Sequence, residues 1–316
     1  MKTVNEAASW LMARDHFLIL THRRPDGDAV GSAVALCLGL RQLGKDAWIW
    51  ANPQFTGRYA DRLAGLTRAD VPEESILVAV DLASEGLLPI GGEGFAGKTE
   101  LCLDHHPSNT SYARATLVQP ECGGCGELIW DVLEAMGVCI DRPMAEAIYI
   151  AISTDTGCFR FANTTARTLH TAAKAVEHGA QIAPINRVWF EIKTRGRLLL
   201  EAKIMERMEF YAEGRVAVCC LSQSLVEQLG VTEDDLDSIS GFPRSMEGVD
   251  IGIMIRDSEP GKAKLSVRTA PGYNASAYCA RLGGGGHQAA AGCAVDGSLE
   301  YGKQAILQVL REENVL

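Results

Sequence analysis

Apolar runs that suit buried strands alternate with helix-like patterns over the first half of the chain. Between the first two runs, apolar positions recur at helical spacing over residues 29–43, and Gly44 follows as a helix-ending glycine. The runs predict strands at residues 17–21, 47–51, 76–81 and 100–104. Strands that alternate with helices are typical of a parallel sheet covered by helices. The pattern therefore predicts an α/β fold, with a parallel sheet and helices on both faces.

The pattern changes in the second half of the chain. Helical patterns continue at residues 126–136, 142–153 and 165–178. A charged, helix-forming stretch then runs to about residue 212, and β-type patterning returns at residue 215. Beyond it we predict strands at residues 250–256, 263–269 and 292–295, with helices at residues 274–282 and 301–312. We therefore expect a first domain over residues 1–190, a helical linker over 191–212 and a smaller α/β domain over 213–316.

Composition narrows the class of protein. The chain has 316 residues, of which 47% are hydrophobic and 22% charged, so it can bury a sizeable core. Its apolar runs are far shorter than a membrane span and its N-terminus lacks signal-peptide order, so we expect neither insertion nor secretion. Ten cysteines, mostly inside apolar runs, suit a reducing cytoplasm. A net charge of −10 argues against tracking along long nucleic acid.

Acidic and histidine side chains stand where three predicted strands and one helix end. These candidates are His22, Asp26, Asp28, Asp81, Asp104, His105, His106 and Asp155. In open α/β sheets the carboxyl ends of strands bind ligands, and mixed imidazole and carboxylate groups suit Mn, Fe, Zn or Mg. The first segment alone would equally fit an ordinary helix N-cap. Chance is a poor explanation for four such segments in one chain.

The charge of this set indicates the number of metal ions. Four of its five aspartates supply four negative charges, which two divalent ions would neutralise; these are Asp26, Asp28, Asp81 and Asp155. Two-metal centres share a carboxylate and commonly promote in-line attack on phosphorus. Asp104 and His106 need not be ligands, because a carboxylate beside a liganded histidine commonly orients the ring through its second nitrogen. His106 could instead face the substrate.

A second candidate site combines a strand face with a glycine-rich segment near the C-terminus. Its residues are Ser266, Arg268, Gly284, Gly285, Gly286 and His287. Consecutive glycines let backbone N–H groups approach an anion, and an arginine can bind phosphate through two hydrogen bonds. The alternatives are a flexible loop with a surface histidine and a solvated arginine. The pattern therefore indicates a phosphate site only in combination with the first cluster.

Five motifs together carry a family resemblance. They are, in order, THRRPDGDAVGS, VDLAS, LDHHPSN, STDTGCFRF and GGGGHQAAAG. Over nearly the whole chain they resemble the DHH phosphoesterase family with its C-terminal DHHA1 domain. The compact length resembles the bacterial oligoribonucleases of this family, which degrade nanoRNA and dephosphorylate 3′-phosphoadenosine 5′-phosphate. The resemblance implies a cytoplasmic, manganese-dependent phosphoesterase that releases 5′-mononucleotides.

The resemblance also implies residue roles. One manganese site would consist of His22, Asp26 and Asp81, and the other of Asp28, Asp81, His105 and Asp155. Asp81 would bridge the two ions, which could also be Mg²⁺ or Co²⁺. His106, Asp81 and His287 would be catalytic, with Asp104 supporting the ligands. Arg268, Ser266 and the glycine segment would bind the substrate's phosphates from the second domain.

The segment at Cys122 and Cys125 departs from the expected pattern, since small or hydroxyl residues are expected there. The two cysteines form a CxxC pair, but no second pair follows at zinc-finger spacing, so a role without metal is favoured.

The expected partners are short RNA or DNA oligonucleotides and small nucleotides, and the family habit is a homodimer. Three alternative functions remain. They are a cyclic or linear dinucleotide phosphodiesterase, an inorganic pyrophosphatase or exopolyphosphatase, and a catalytically silent nucleotide sensor. The sensor is disfavoured because all six metal-ligand positions carry suitable residues.

Overall fold

The computed structural model describes residues 1–236 and 239–316, and it divides into two compact units. The first unit spans Met1–Ile192 and the second spans Lys193–Leu316. Within the described residues, none of the helices has the length and apolar character that a membrane crossing requires.

The first unit is built on a six-stranded sheet. Its strands are β1 (Phe17–Leu20), β2 (Ala47–Trp50), β3 (Thr67–Arg68), β4 (Ile76–Val80), β5 (Leu101–Asp104) and β6 (Ala115–Val118). The spatial order is β3-β2-β1-β4-β5-β6, and neighbouring strands pair in parallel. The predicted α/β fold with a parallel sheet is therefore confirmed. The sequence pattern did not reveal β3 or β6, which are short strands at the edges.

Helices of the first unit precede the sheet, connect two pairs of its strands or follow its last strand. They are α1 (Val4–Met12), α2 (Gly27–Gln42), α3 (Ala60–Leu63), α4 (Cys125–Ala135), α5 (Arg142–Asp155), α6 (Ala166–Glu177) and α7 (Ile182–Asn186). Strand side chains alternate between two buried faces. Phe17 and Ile19 pack with the large helical core, whereas Leu18 and Leu20 pack on the opposite face with Phe95 of a 3₁₀ helix. Burial on both faces explains why these strands are continuous apolar runs.

Close packing of α2 against α5 brings two candidate segments together. A Cβ atom on Gly27 would lie 2.4 Å from the Thr154 hydroxyl oxygen, and one on Gly31 would lie 2.3 Å from the Ala147 carbonyl oxygen. Any larger residue at these positions would push the helices apart. The two glycines thus place the C-terminal end of α5, with Asp155, beside the N-terminal end of α2.

The second unit contains a mixed six-stranded sheet. Its strands are β7 (Glu209–Tyr211), β8 (Val216–Leu221), β9 (Ile251–Glu259), β10 (Lys262–Thr269), β11 (Gly285–Gly286) and β12 (Ala290–Asp296). The order is β11-β12-β10-β9-β8-β7, and in the described part of this unit only β8 and β9 pair in parallel. Helices α8 (Arg195–Arg207), α9 (Gln223–Gln228), α10 (Glu233–Leu236), α11 (Ala275–Ala280) and α12 (Leu299–Glu312) complete the unit.

Most of the stretch expected to be a helical linker, residues 191–212, lies within the second unit. Helix α8 is present, but Leu200 and Ile204 are buried against Ala217 and Cys219 of β8, so the helix belongs to the core of the second unit. Residues 209–211 form a strand that pairs with β8, although no β pattern was expected before residue 215. An exposed edge strand of three residues has too little apolar periodicity to be detected in the sequence.

Candidate metal centre and phosphate-binding residues

The candidate ligands meet at the carboxyl ends of neighbouring strands. Strand β1 lies between β2 and β4. From β1 the chain adds β2 and β3 on one side of it, and it then returns to add β4, β5 and β6 on the other side. Such a reversal leaves a crevice at the carboxyl ends of the two central strands, where open α/β sheets bind ligands. His22 follows β1, and Asp81 follows β4. This local topology accounts for their proximity.

The first group of ligand atoms comprises His22, Asp26 and Asp81. The His22 Nε2 atom lies 3.7 Å from Asp26 Oδ1 and 3.7 Å from Asp81 Oδ2. His22 Nδ1 lies 2.8 Å from the Arg23 carbonyl oxygen, which can only accept, so Nδ1 carries the proton. In the neutral ring, Nε2 therefore keeps its lone pair toward the two carboxylates. Asp26 is also the N-cap of α2 and accepts from the Asp28 and Ala29 N–H groups.

The second group comprises Asp28, His105 and Asp155. His105 Nε2 lies 3.6 Å from Asp28 Oδ2, 3.8 Å from Asp155 Oδ2 and 3.5 Å from Asp81 Oδ1. His105 Nδ1 lies 3.2 Å from the carbonyl oxygen of Cys122 and donates to it. This bond orients the ring so that Nε2 points into the cluster.

Asp81 lies between the two groups. Its Oδ2 faces His22 and its Oδ1 faces His105, so each oxygen serves a different group. The residue is buried and has a φ of 53°, a left-handed conformation that is uncommon for a residue with a Cβ and often marks a functional site. The Asp81 N–H donates to the Leu103 carbonyl oxygen, which fixes this conformation against β5.

The donor atoms fit divalent cations. Asp81 Oδ1 and His105 Nε2 are buried and make no hydrogen bond to any described residue. Buried polar atoms without partners are costly, and an acceptor pair of this kind is satisfied by a cation. Imidazole nitrogen and carboxylate oxygen are ligands for Mn²⁺, Zn²⁺ and Mg²⁺ alike, so the atoms present do not select one metal.

A turn that the sequence analysis did not assign to the site holds the second group. The Asp28 carboxylate accepts from the backbone N–H groups of Cys125 (2.6 Å) and Gly126 (3.0 Å), at the N-terminus of α4. Gly124 is the N-cap of that helix, and a Cβ atom there would lie 3.0 Å from Asp28 Oδ2. The Cys122 carbonyl oxygen of the same turn orients His105. We call residues 122–126 the ligand-holding turn.

Glu127 anchors the ligand-holding turn from behind. It is fully buried, and its Oε1 accepts from the Gly123 N–H at 2.9 Å. The Asn163 side-chain amide donates to the Gly123 carbonyl oxygen at 2.9 Å and to Asp155 Oδ2 at 3.1 Å. The turn therefore contacts, directly or through one side chain, every member of the second group. Backbone groups supply most of these contacts, and the glycine-rich CGGCG spacing before a helix was the only signal of them in the sequence.

The two cysteines of this turn have their thiols directed to protein acceptors. The Cys125 thiol lies 3.4 Å from the Leu103 carbonyl oxygen, and the Cys122 thiol lies 3.5 Å from Gln119 Oε1. Their contribution to the site that the structure describes comes from the backbone.

Asp104 orients the ring of His106 and contacts the candidate ligand His105 only through its backbone N–H. It is fully buried and accepts from His106 Nδ1 at 2.8 Å and from the Asn109 side-chain amide at 2.6 Å. The sequence suggested that a carboxylate would orient a liganded histidine, but a carbonyl group performs that task for His105. His106 is about one-third exposed, so its Nε2 side is accessible to a ligand.

Crowded carboxylates perturb one another's ionisation. Burial and the charges of Asp28 and Asp26 raise the pKa of Asp155 to about 8. Burial, together with the neighbouring aspartates, also raises the pKa of Asp81 well above its usual range. Asp26 behaves differently: desolvation opposes its ionisation, but the positive charge of a protonated His22 ring and the N–H groups of Ala29 and Asp28 outweigh this and lower its pKa to about 2. A bound divalent cation would relieve the repulsion among the ionised groups.

The second unit brings Ser266 and Arg268 onto the same face of β10. Arg268 Nη2 donates to the Ser240 hydroxyl at 3.0 Å, and burial lowers the pKa of the guanidinium group. The glycine segment lies two strands away, because β12 pairs with β10 on one side and with β11 on the other. The structure therefore places these predicted phosphate-binding residues at one end of one sheet.

The glycine segment uses some of its backbone N–H groups within the second unit, and phosphate binding by this segment stays a prediction. Gly285 and Gly286 form strand β11, and a Cβ atom on Gly284 would lie 2.2 Å from the Gly292 carbonyl oxygen. The Gly284 N–H donates to the Cys279 carbonyl oxygen, and the His287 N–H donates to that of Ala290. Close packing against β12 thus explains Gly284 and Gly286, whereas Gly285 has open space around it. The side chain of His287 is exposed at the end of the segment.

Comparison with known proteins agrees with this architecture. The family described as "DHH family, N-terminal domain" matches residues 16–152, and the "DHHA1 domain" matches residues 214–314. The chain is 32% identical over 305 residues to the bifunctional oligoribonuclease and PAP phosphatase NrnA of Thermus thermophilus, covering 93% of this chain and 89% of the relative. The chain belongs to the DHH family.

Two further similar proteins extend over similar lengths. The bifunctional oligoribonuclease and PAP phosphatase NrnA of Bacillus subtilis is 25% identical over 290 residues, covering 89% of this chain and 90% of the relative. A crystal structure of an exopolyphosphatase-related protein from Bacteroides fragilis superposes with a TM-score of 0.86 at 22% identity, covering 98% of this chain and 95% of that chain. This last likeness shows that the DHH chain shares the fold.

Proposed function

We propose that the protein is a metal-dependent phosphoesterase that hydrolyses short oligonucleotides to 5′-mononucleotides and 3′-phosphoadenosine 5′-phosphate to AMP. The observation that carries the proposal is the convergence of the two ligand groups on the two oxygens of Asp81. A single carboxylate shared by two cation sites is the arrangement used for in-line displacement at phosphorus. The relatives named as oligoribonuclease and PAP phosphatase support the choice of substrates.

In this proposal His22, Asp26 and Asp81 hold one divalent cation, and Asp28, Asp81, His105 and Asp155 hold the other. When bound, such cations supply positive charge to the phosphate and lower the pKa of water. The chain's own contribution is orientation. Carbonyl oxygens of Arg23 and Cys122 fix the protons of His22 and His105 on Nδ1.

His106 is the proposed contact to the scissile phosphate in the first unit. Its Nδ1 is held by Asp104, so its Nε2 is the atom left for the substrate. In the second unit, Arg268, Ser266 and His287 are the proposed contacts to the substrate's phosphates. An arginine pre-positioned by Ser240 loses little conformational freedom when it binds an anion.

Several finer parts of the proposal rest on the family resemblance or on composition. We propose Mn²⁺ as the preferred metal, with Mg²⁺ and Co²⁺ as substitutes, and a homodimer as the oligomeric state. All ten cysteines are free thiols, which supports a reducing cytoplasm as the location. Metal-dependent activity profiles and sedimentation analysis test the metal and the dimer.

The first experiment measures hydrolysis of 5′-labelled RNA, from dinucleotides to long oligomers, with and without Mn²⁺. Parallel reactions use 3′-phosphoadenosine 5′-phosphate, a cyclic dinucleotide and pyrophosphate. We expect rapid turnover of short RNA and of the bisphosphate, with background rates for Asp81→Asn. The exposed Glu134→Gln variant on α4 is the control and should match wild type. Turnover confined to pyrophosphate, or unchanged activity of Asp81→Asn, would contradict the proposal.

A further inference from the structure

The loop after Asp155 contains a strained run of backbone. Gly157, Cys158 and Phe159 have φ values of 58°, 57° and 62°, so three consecutive residues are left-handed. This conformation is unfavourable for residues that carry a Cβ, and it persists only where the surrounding structure enforces it. The surrounding structure must therefore hold this loop in its conformation.

Two aromatic side chains, one in the left-handed run and one just after it, have different surroundings. The Phe159 ring packs inward, with its centroid 5.8 Å from that of Tyr149. Phe161, two residues later, is 57% exposed. A Cβ atom on Gly157 would lie only 2.4 to 2.6 Å from three carbon atoms of the Phe161 ring, so the ring rests directly on the Gly157 backbone. Phe161 is thus an exposed aromatic ring that is supported from beneath.

Hydrogen bonds fix the loop below this ring. The Phe161 N–H donates to the Thr156 carbonyl oxygen at 3.0 Å. The Arg160 Nε–H donates to the Gly157 carbonyl oxygen at 2.6 Å. The ring is therefore carried by a rigid segment, which lowers the entropy lost when a flat ligand packs against it.

The loop begins and ends at the metal-site carboxylate. Asp155 is at its start, and the Asn163 amide near its end donates to Asp155 Oδ2 at 3.1 Å. Phe161 is two residues from Asn163, and two residues span at most about 7 Å. A nucleotide whose phosphate is held at the cluster would therefore have its base within reach of the ring.

We infer that Phe161 is a stacking surface for a nucleobase of the substrate. The inference rests on the proposed function, because it requires a nucleotide phosphate at the metal centre. Single exposed apolar side chains are common, but this one is held by a glycine that tolerates no Cβ and by a strained turn. Unpaired bases of short RNA stack on aromatic side chains without regard to sequence, which suits an enzyme that degrades oligomers of any sequence.

The test compares Phe161→Ala, Phe161→Leu and Phe161→Trp with wild type. One probe is 2-aminopurine riboside 5′-monophosphate with Mg²⁺, whose fluorescence is quenched by stacking and which requires no turnover. The second probe is ribose 5-phosphate, which lacks a base. We expect the Ala and Leu variants to bind the fluorescent probe about 5- to 100-fold more weakly and with less quenching. The Trp variant should retain binding, and ribose 5-phosphate should bind all four proteins alike.

Leu169→Ala removes an equally exposed apolar side chain from α6 and serves as the matched control. Equal losses for both probes in Phe161→Ala and Phe161→Leu, or unchanged quenching in these variants, would overturn the inference. The Leu variant keeps the apolar bulk, so it distinguishes stacking from simple packing. A different outcome would contradict the proposed function: wild type would hydrolyse none of the nucleotide substrates. The inference alone fails if wild type hydrolyses them while the Phe161 variants bind and quench as wild type does.

Discussion

The crowding of carboxylates predicts that Asp155→Asn stabilises the first unit once metal has been removed by a chelator. The pKa of Asp155 is raised from its ordinary value of 3.8 to about 8 in the folded protein. A raised pKa means that the folded state binds the proton more tightly than the unfolded state does. Stability contributed by the protonated form is therefore present at low pH, and it is lost as the pH rises from the ordinary pKa of 3.8 to the raised pKa of about 8.

The size of the effect follows from proton linkage. Between the two pKa values the folded state holds about one extra proton, so the free energy of unfolding falls by roughly 1.4 kcal/mol per pH unit. Asparagine removes this dependence and can still accept the hydrogen bond that Asn163 donates. From about pH 5 to pH 7, wild type should therefore lose up to about 3 kcal/mol relative to the variant. Asp26, with its pKa lowered to about 2, contributes no slope in this window.

The assay is urea-induced unfolding in the presence of a chelator, followed by tryptophan fluorescence. All five tryptophans lie in the first unit, so the signal reports that unit alone. Asp61→Asn, which changes an exposed carboxylate on α3, is the control and should run parallel to wild type. If the free energy of unfolding changed with pH in the same way for wild type and Asp155→Asn, the pKa of Asp155 would not be raised by burial and by the charges of Asp28 and Asp26. The electrostatic reasoning would then be wrong.

Three further predictions address orientation and packing. Asp104→Asn should reduce turnover about 10- to 100-fold, because the carboxylate that orients His106 is lost. Metal affinity, measured by calorimetry, should not change. Gly124→Ala should weaken metal binding about 10-fold, because its Cβ would press on the Asp28 carboxylate at 3.0 Å, whereas Gly94→Ala, with open space around it, should not. Ile204→Ala should destabilise the second unit by about 2 to 5 kcal/mol, because the side chain is buried in its core. Faster hydrogen exchange in β8 would report this loss, and unchanged exchange would mean that α8 is not part of that core.

The central strands of the first unit were predictable from sequence to within about one residue. The run at residues 17–21 corresponds to Phe17–Leu20, and that at residues 76–81 corresponds to Ile76–Val80. Both faces of these strands are buried, so nearly every position must be apolar and the run is easy to recognise. The edge strand Glu209–Tyr211 lacks this constraint, since most of it is exposed, and it was not detected.

The candidate ligands could also be recognised before the fold was known. Polar residues at the ends of buried strands must lie at one edge of a parallel sheet, and this geometric rule brought together His22, Asp81 and His105. The rule does not specify which hydrogen-bond acceptor orients each histidine ring. Asp104 orients His106, while a backbone carbonyl group orients His105, and carbonyl groups are identical at every position of the sequence.

The sequence by itself determined the α/β class, the candidate ligands and the family, because each depends on residue type and spacing. Only the tertiary structure decided how those ligands are divided between the two oxygens of Asp81 and how the turn at residues 122–126 holds Asp28. It also showed that Gly284 and Gly286 are required by close packing against β12, whereas Gly285 has open space around it. The physical reason is the same in each case. Contacts made by backbone atoms, and the space available between elements, depend on how distant segments pack and have no counterpart in the identity of any one residue.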